Sequence, residues 1–155
     1  MRVHHSQRGF TLIELITSIT IIAILAAVTL PRLTSAQPYQ ERGYADGIAA
    51  SLRQSRAVAL ASGCDVQFTI DAAGYRAQQH GVGANNHCAA AGAWSTPVRR
   101  GNGQSLLELT PAGAALAANR QFVFAPNGSV AGGPLNINVG PQTITVQASG
   151  LVQGP

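Results

Sequence analysis

Residues 8–14 read Arg-Gly-Phe-Thr-Leu-Ile-Glu, and an apolar run that reaches Leu30 follows them directly. Between Phe10 and Leu30 the only charged side chain is that of Glu14. A helix over this segment would be roughly 30 Å long, which matches the apolar thickness of a bilayer. A carboxylate near the centre of such a bilayer costs about 3 kcal/mol on insertion scales. The sequence therefore predicts a transmembrane helix over residues 10–30, in which Glu14 needs a partner.

A short basic leader precedes the apolar run and predicts how the helix is oriented. It carries Arg2 and Arg8, and basic residues beside a span favour the cytoplasmic side of the membrane. The alternative is an ordinary secretory signal with Thr34-Ser35-Ala36 as its cleavage site. The apolar run is longer than a signal core of roughly 7–15 residues, and it contains Glu14, so the membrane anchor is favoured.

Helical periodicity returns between Glu41 and Ser62, with Gly63 in position to end the helix. Five small or apolar residues at helical spacing predict the buried stripe, namely Ala45, Ile48, Ala49, Leu52 and Ala59.

After Gly63 the period changes to two, which is typical of strands. The predicted strands cover residues 66–70, 75–79, 94–99, 105–109, 121–125, 135–139 and 143–148. The chain is therefore predicted to be α+β, with a long N-terminal helix followed by a β-rich domain.

Arg8, Gly9 and the run Phe-Thr-Leu-Ile-Glu together resemble the N-terminal signal of the type IV pilin superfamily. The resemblance implies that a prepilin peptidase cuts between Gly9 and Phe10 and methylates the new amine of Phe10. It also implies an assembly role for Glu14, which would meet the N-terminal amine of a neighbouring subunit in a filament. A pairing of Glu14 with Phe10 of the same chain, at helical i, i+4 spacing, is the alternative.

The same resemblance divides the chain and implies a pilin-like fold. Residues 1–9 would be the cleaved leader peptide. Residues 10–62 would form the N-terminal helix, with its transmembrane part over 10–30. Residues 63–155 would form the antiparallel β-rich globular domain against which the helix packs.

Three further segments resemble the GspH/FimT group of minor pilins and pseudopilins. They are the helical run 52–59 (Leu-Arg-Gln-Ser-Arg-Ala-Val-Ala), the turn 122–129 (Phe-Val-Phe-Ala-Pro-Asn-Gly-Ser) and the final strand 144–150. The resemblance implies a non-enzymatic filament subunit of a type II secretion system or a type IV pilus, anchored in the inner membrane with its domain in the periplasm. Its partners would be the prepilin peptidase and other pilin or pseudopilin subunits.

Cys64 and Cys88 are the only cysteines. Outside the cytoplasm an even number of cysteines favours a disulfide. Closing a loop of about 25 residues would stabilise the fold by about 3 kcal/mol. Two unpaired thiols are the alternative. His80 and His87 lie nearby in sequence, but no C-x-x-C or H-x-x-x-H pair indicates a zinc site, so neither a metal nor a cofactor is predicted.

DNA is the less favoured partner. Some members of the FimT branch bind DNA through a C-terminal Gly-Arg-x-Arg stretch, and this chain has Gly-Leu-Val-Gln at residues 150–153. The one basic cluster left to contact phosphate weakly is Arg99 with Arg100. The formal charge of +4 falls to +2 when Arg2 and Arg8 are removed with the leader, so charge alone does not indicate nucleic-acid binding.

Overall fold

The computed structural model describes residues 10–33, 37–83, 86–114, 116 and 118–155, with backbone alone at residues 28–33 and 37. The chain forms two compact units, Met1–Ala36 and Gln37–Pro155. The predicted leader, including Gly9, lies outside the described residues. The first unit contains helix α1 (Leu12–Leu33), and the second begins with helix α2 (Gln37–Ser62).

Two prolines lie within these helices. Pro31 lies within α1, whose helical backbone continues to Leu33. Pro38 is the second residue of α2. In the first turn of a helix its missing N–H has no intrahelical acceptor to lose, so α2 can begin there without cost.

Helix α2 buries the predicted stripe. Ala45, Ile48, Leu52 and Ala59 are fully buried, and Ala49 is 1% exposed. The helix ends at Gly63, whose φ of +66° is the left-handed conformation of a helix C-cap. Its N–H donates to the carbonyl of Ala59 at 3.0 Å.

The strands form two antiparallel sheets. In the first sheet the order is β3-β2-β1-β5, and β4 pairs with β2 beside β3. Its strands are β1 (Val66–Asp71), β2 (Gly74–His80), β3 (Trp94–Pro97), β4 (Leu107–Leu109) and β5 (Arg120–Phe124). The second sheet has the order β6-β7-β8, with β6 (Leu135–Val139), β7 (Gln142–Val146) and β8 (Val152–Gln153).

The core lies where α2 packs against both sheets, because the helix contacts β1 and β5 of one sheet and β6, β7 and β8 of the other. Alternate residues of β1 face this core, so Val66, Phe68 and Ile70 are all fully buried. The ring of Phe68 stacks on those of Tyr75 and Phe122, each at 5.8 Å between centroids. Each large side chain buried in this way contributes roughly 1.5–3 kcal/mol. The second unit thus has the predicted α+β architecture.

Candidate functional site

The start of α1 carries the residues predicted to be processed and to direct assembly. The helix begins at Leu12, and Thr11 caps it, because Thr11 Oγ1 accepts a hydrogen bond from the N–H of Glu14 at 3.3 Å. Threonine three residues before glutamate is the capping-box spacing. Sequence reasoning gave Thr11 no role, although this T-x-x-E pattern was available to suggest one.

Glu14 and Phe10 stand in different parts of this start. Phe10 precedes the helix and is 81% exposed, and the pairing of Glu14 with the amine of a cleaved Phe10 stays a prediction. Glu14 lies in the first turn of α1, where a negative charge is favoured by the helix dipole by roughly 0.3–1 kcal/mol.

The described side chains of α1, over residues 12–27, are mostly apolar. The leucine and isoleucine side chains of residues 12–25 are between 43% and 76% exposed. The hydroxyl groups of its described side chains are bonded within the helix, since Thr17 and Ser18 both donate to the carbonyl of Glu14, at 3.0 and 2.7 Å. The helix therefore presents hydrocarbon and few free polar groups.

In the part of the chain that the structure describes, no helix is long and apolar enough to cross a membrane. The membrane span expected over residues 10–30 stays a prediction.

A disulfide joins Cys64 to Cys88, as predicted from their number. Their α-carbons lie 6.1 Å apart across a sequence separation of 24 residues, a distance that a disulfide spans. Cys64 is 6% exposed and directly follows the C-cap of α2. The bond ties the end of the helix to the loop that follows β2.

The two histidines near this disulfide differ in their exposure to solvent. His80 is the last residue of β2 and is only partly exposed. Its ring stacks on that of Trp94 with 3.7 Å between centroids. His87 is exposed, and its Nδ1 lies 3.6 Å from Cys64 Sγ and 3.1 Å from Cys88 Sγ.

Arg99 and Arg100, the predicted DNA contacts, are engaged within their own hairpin. The guanidinium of Arg99 donates to the carbonyl of Gly103 at 2.8 Å. That of Arg100 forms an ion pair with Glu108 at 3.1 Å. The backbone carbonyl of Arg99 also accepts from Gln54 of α2 at 3.0 Å. The two side chains therefore bond within the hairpin, and Gln54 links the hairpin to the helix.

Tyr75 forms a polar cluster with the ion pair of Arg100 and Glu108. Its hydroxyl donates to Glu108 Oε2 at 2.5 Å. Burial, together with the hydrogen bond to this carboxylate, raises the pKa of Tyr75 to about 12. Gly47 of α2 leaves room for the cluster, since a Cβ there would lie 3.2 Å from the Tyr75 hydroxyl oxygen.

Arg56 joins the three segments that carry the GspH/FimT resemblance. From α2, its Nε donates to the carbonyl of Gly128 at 3.2 Å, and a terminal nitrogen donates to the carbonyl of Ser149 at 3.3 Å. Gly150, with φ +76°, packs so closely that a Cβ would overlap the Gly128 carbonyl oxygen. One arginine thus locks two turns to each other and to the helix.

A groove of about 260 Å³ lies beside this junction, between α2 and the C-terminal turn. Arg53 and Arg56 line it with apolar neighbours that include Leu60 and Leu151. Arg53 also donates to the carbonyl of Gly154 at 3.4 Å. Two arginines therefore lie beside the C-terminal turn at residues 150–153, which contains no arginine itself. They come from α2, and they bond backbone carbonyls.

Two family models match the chain. The prokaryotic N-terminal methylation motif matches residues 4–30. The type II transport protein GspH model matches residues 44–150, which include α2 from Tyr44 onward and strands β1 to β7. No curated protein and no solved structure matches the chain.

Proposed function

The chain belongs to the family of the type II transport protein GspH, and from this premise we propose that it is a minor pseudopilin of a type II secretion system. In this role it is a structural subunit of a periplasmic filament and not an enzyme. The observation that carries the proposal is that one chain joins an N-terminal methylation motif over residues 4–30 to a GspH region over residues 44–150. The first implies processing by a prepilin peptidase, and the second implies pseudopilin partners.

Helix α1 would supply the assembly interface. A helix that is apolar on all sides is stable when lipid or other helices surround it. We propose that residues 10–30 anchor the unassembled subunit in the inner membrane, with its N-terminus in the cytoplasm and its globular unit in the periplasm. In the filament the same surface would pack against the helices of neighbouring subunits.

Glu14 would set the register of this packing. Cleavage after Gly9 leaves an ammonium group on Phe10, and the carboxylate of Glu14 is the only other charge before Leu30. Two opposite charges in an apolar surrounding are far less costly together than either is alone. Because Phe10 precedes the helix that carries Glu14, pairing between adjacent subunits is favoured over pairing within one chain.

The test is a Glu14→Ala chain in cells that depend on this subunit for secretion. The variant should be made, inserted and cleaved, because losing a carboxylate makes the helix more apolar. Secretion and the recovery of the subunit in sheared filaments should both fall strongly. Asp46→Ala, which removes an exposed carboxylate from α2, is the matched control and should behave as wild type. If the Glu14→Ala chain supports secretion at the wild-type level, Glu14 has no role in assembly.

A DNA-binding minor pilin of the FimT type is the second candidate, and the groove lined by Arg53 and Arg56 is the feature that favours it. Against it, Arg99 and Arg100 are both held by internal bonds. We expect little binding of duplex DNA at near-physiological salt. Each phosphate contact lowers the logarithm of affinity by about 0.9 per tenfold rise in salt, so a real binder would weaken steeply.

A titration of duplex DNA at two salt concentrations decides between the candidates. Micromolar or tighter binding at the higher salt that is lost in Arg99→Ala/Arg100→Ala would make DNA uptake the favoured function. It would also identify these two arginines as the DNA contacts. Loss in Arg53→Ala would instead place the contact in the groove.

A further inference from the structure

All the cysteines and histidines of residues 37–155 line one surface cavity. The cavity has a volume of about 260 Å³, and its lining includes Cys64, His80, His87 and Cys88. These four residues are separated by up to 24 positions in sequence, and their spacing contains no C-x-x-C or H-x-x-x-H pair. The fold brings together a set of soft and borderline donors that the sequence pattern did not reveal.

Three of these donors have nearly the geometry of a metal site. The ligand atoms of Cys64, His87 and Cys88 all lie within 4.8 Å of one another. Around tetrahedral zinc, sulfur and nitrogen ligands at roughly 2.3 and 2.1 Å from the ion lie about 3.5 Å from each other. His87 Nδ1 already stands at 3.6 and 3.1 Å from the two sulfurs. Only the two sulfurs, now bonded, would have to separate.

The backbone around the cavity would keep these donors together once that bond is open. A short ladder pairs Val82 with Cys88. The N–H of Gly83 donates to the carbonyl of His87 at 2.6 Å, and that of Ala89 donates to Gly81 at 2.9 Å. On the other side, the N–H of Cys64 donates to Ser62 Oγ at 3.3 Å. Backbone hydrogen bonds therefore hold the segments on both sides of the disulfide, and we expect them to keep the donors close when the bond is opened.

His80 gives a second, independent observation. Its Nδ1 is buried and has no hydrogen-bond partner among the described residues. A buried polar atom without a partner costs free energy, and in native structures such an atom asks for an explanation. A metal ion, or a water bound to that ion, would satisfy this nitrogen. Its ring is held in place by the stack on Trp94.

We propose that Cys64, His87 and Cys88, with His80 beside them, form a binding site for a borderline-soft divalent cation when the disulfide is reduced, and zinc is the ion that fits. Reduction by a dithiol transfers two electrons and two protons, so that two thiols form and the dithiol becomes a disulfide. Zinc then binds both thiolates and releases two protons. Because the same sulfurs form the disulfide, the bond and the metal exclude each other.

The experiment uses the full-length chain, first oxidised and then reduced and freed of reductant without oxygen. The probes are Zn²⁺, followed by native mass spectrometry, and Co²⁺, followed by the visible absorption that a tetrahedral thiolate site produces. The reduced chain should bind one Zn²⁺ and release two protons. The oxidised chain, which offers no thiolate, should bind at least about 100-fold more weakly.

Variants separate this site from adventitious binding. Cys64→Ser/Cys88→Ser should abolish tight binding. His87→Ala keeps both thiols and should weaken binding roughly 10- to 100-fold, and His80→Ala should weaken it less. Asp65→Asn is the control, because this carboxylate lines a neighbouring cavity with Cys64, His87 and Cys88 but is not a proposed ligand. It should leave affinity unchanged.

Two results would overturn the proposal. One is a reduced chain that binds Zn²⁺ no more tightly than the double serine variant. The other is full affinity in His87→Ala, which would mean that the thiols bind without the geometry described. If the reduced chain loses its circular dichroism, zinc must restore it, and failure to do so counts equally against the site.

Discussion

Helices α1 and α2 have similar lengths, 22 and 26 residues, but opposite relations to their surroundings. Leu15 of α1 is 59% exposed, whereas Leu52 of α2 is fully buried. Helix α2 finds its apolar partners in the two sheets of its own unit. In the described residues α1 keeps a large apolar surface exposed, and such surfaces mark contact with a membrane or with other proteins. The comparison teaches that α2 is held by its own fold, whereas α1 keeps an apolar surface that the proposed membrane and filament contacts would cover.

The largest expected effect comes from keeping the leader attached to α1. Gly9→Val should abolish cleavage, because a branched side chain would occupy the position before the scissile bond. The intact mass of the membrane-associated chain should then include residues 1–9, and no filament should form. Gly43→Val is the matched control, since a Cβ at Gly43 would have no heavy atom within 4 Å, and it should be processed normally. A processed Gly9→Val chain would contradict the predicted cleavage site.

A pair of leucine substitutions tests the contrast between the helices directly. Leu52→Ala should lower the free energy of unfolding of the globular unit by about 2–5 kcal/mol, the range for a truncated core leucine. Leu15→Ala should change it by less than about 0.5 kcal/mol, while weakening assembly. Urea unfolding followed by circular dichroism gives the first quantity, and filament recovery gives the second. Equal destabilisation by both changes would show that α1 also serves the fold.

Removing the disulfide should have a somewhat smaller effect, confined to the globular unit. Cys64→Ser/Cys88→Ser should lower the free energy of unfolding by about 3 kcal/mol, because the loop is no longer closed in the unfolded chain. Unfolding of wild type with and without reductant gives the same comparison in the absence of zinc. A change below about 1 kcal/mol would mean that the unfolded chain gains little freedom when the loop opens.

The smallest expected effect is a loss of stability at alkaline pH that depends on Tyr75. Its pKa is raised from 10.0 to about 12 in the folded chain, so the unfolded chain ionises first as the pH rises. The stability that this shift contributes is complete below pH 10.0 and is lost as the pH approaches about 12. Tyr75→Phe should reduce this alkaline loss in short unfolding measurements.

Two other tyrosines control this measurement. Tyr39→Phe is the control for removing a tyrosine hydroxyl from the surface, because that side chain is 81% exposed. Burial also raises the pKa of Tyr44, so some loss should remain after Tyr75→Phe. An unchanged alkaline profile in Tyr75→Phe would contradict the assignment.

Local patterns allowed much of the globular unit to be predicted. The stripe on α2, the C-cap at Gly63 and the hairpin of β1 and β2 all follow from periods of 3.6 or two residues and from turn residues. The disulfide followed from the number of cysteines and the expected compartment. In each case the signal lies in the composition or within a few neighbouring positions, which is where a single sequence is informative.

What the sequence did not reveal depends on distant contacts. Arg56 bonds carbonyls that lie 72 and 93 positions further along the chain, and such bonds leave no periodic trace. The convergence of His80 and His87 on the disulfide has the same origin. Strand β8 has only two residues and is too short for alternation to indicate it. The i, i+4 argument assumed a helix that includes Phe10, whereas α1 begins at Leu12, and which amine Glu14 meets stays a prediction.

That starting point has an electrostatic consequence for the cleaved subunit. Thr11 caps α1 from a position after the predicted cut, so removing the leader would leave the hydrogen bond between Thr11 and Glu14 in place. The cut would, however, create a positive amine just ahead of the positive end of the helix dipole, an arrangement that costs roughly 0.3–1 kcal/mol. Processing would thus add an unfavourable interaction between the new amine and the helix dipole. The carboxylate of Glu14 from an adjacent subunit would offset that interaction. The peptidase would in this way supply a small electrostatic bias toward the filament without rearranging the helix.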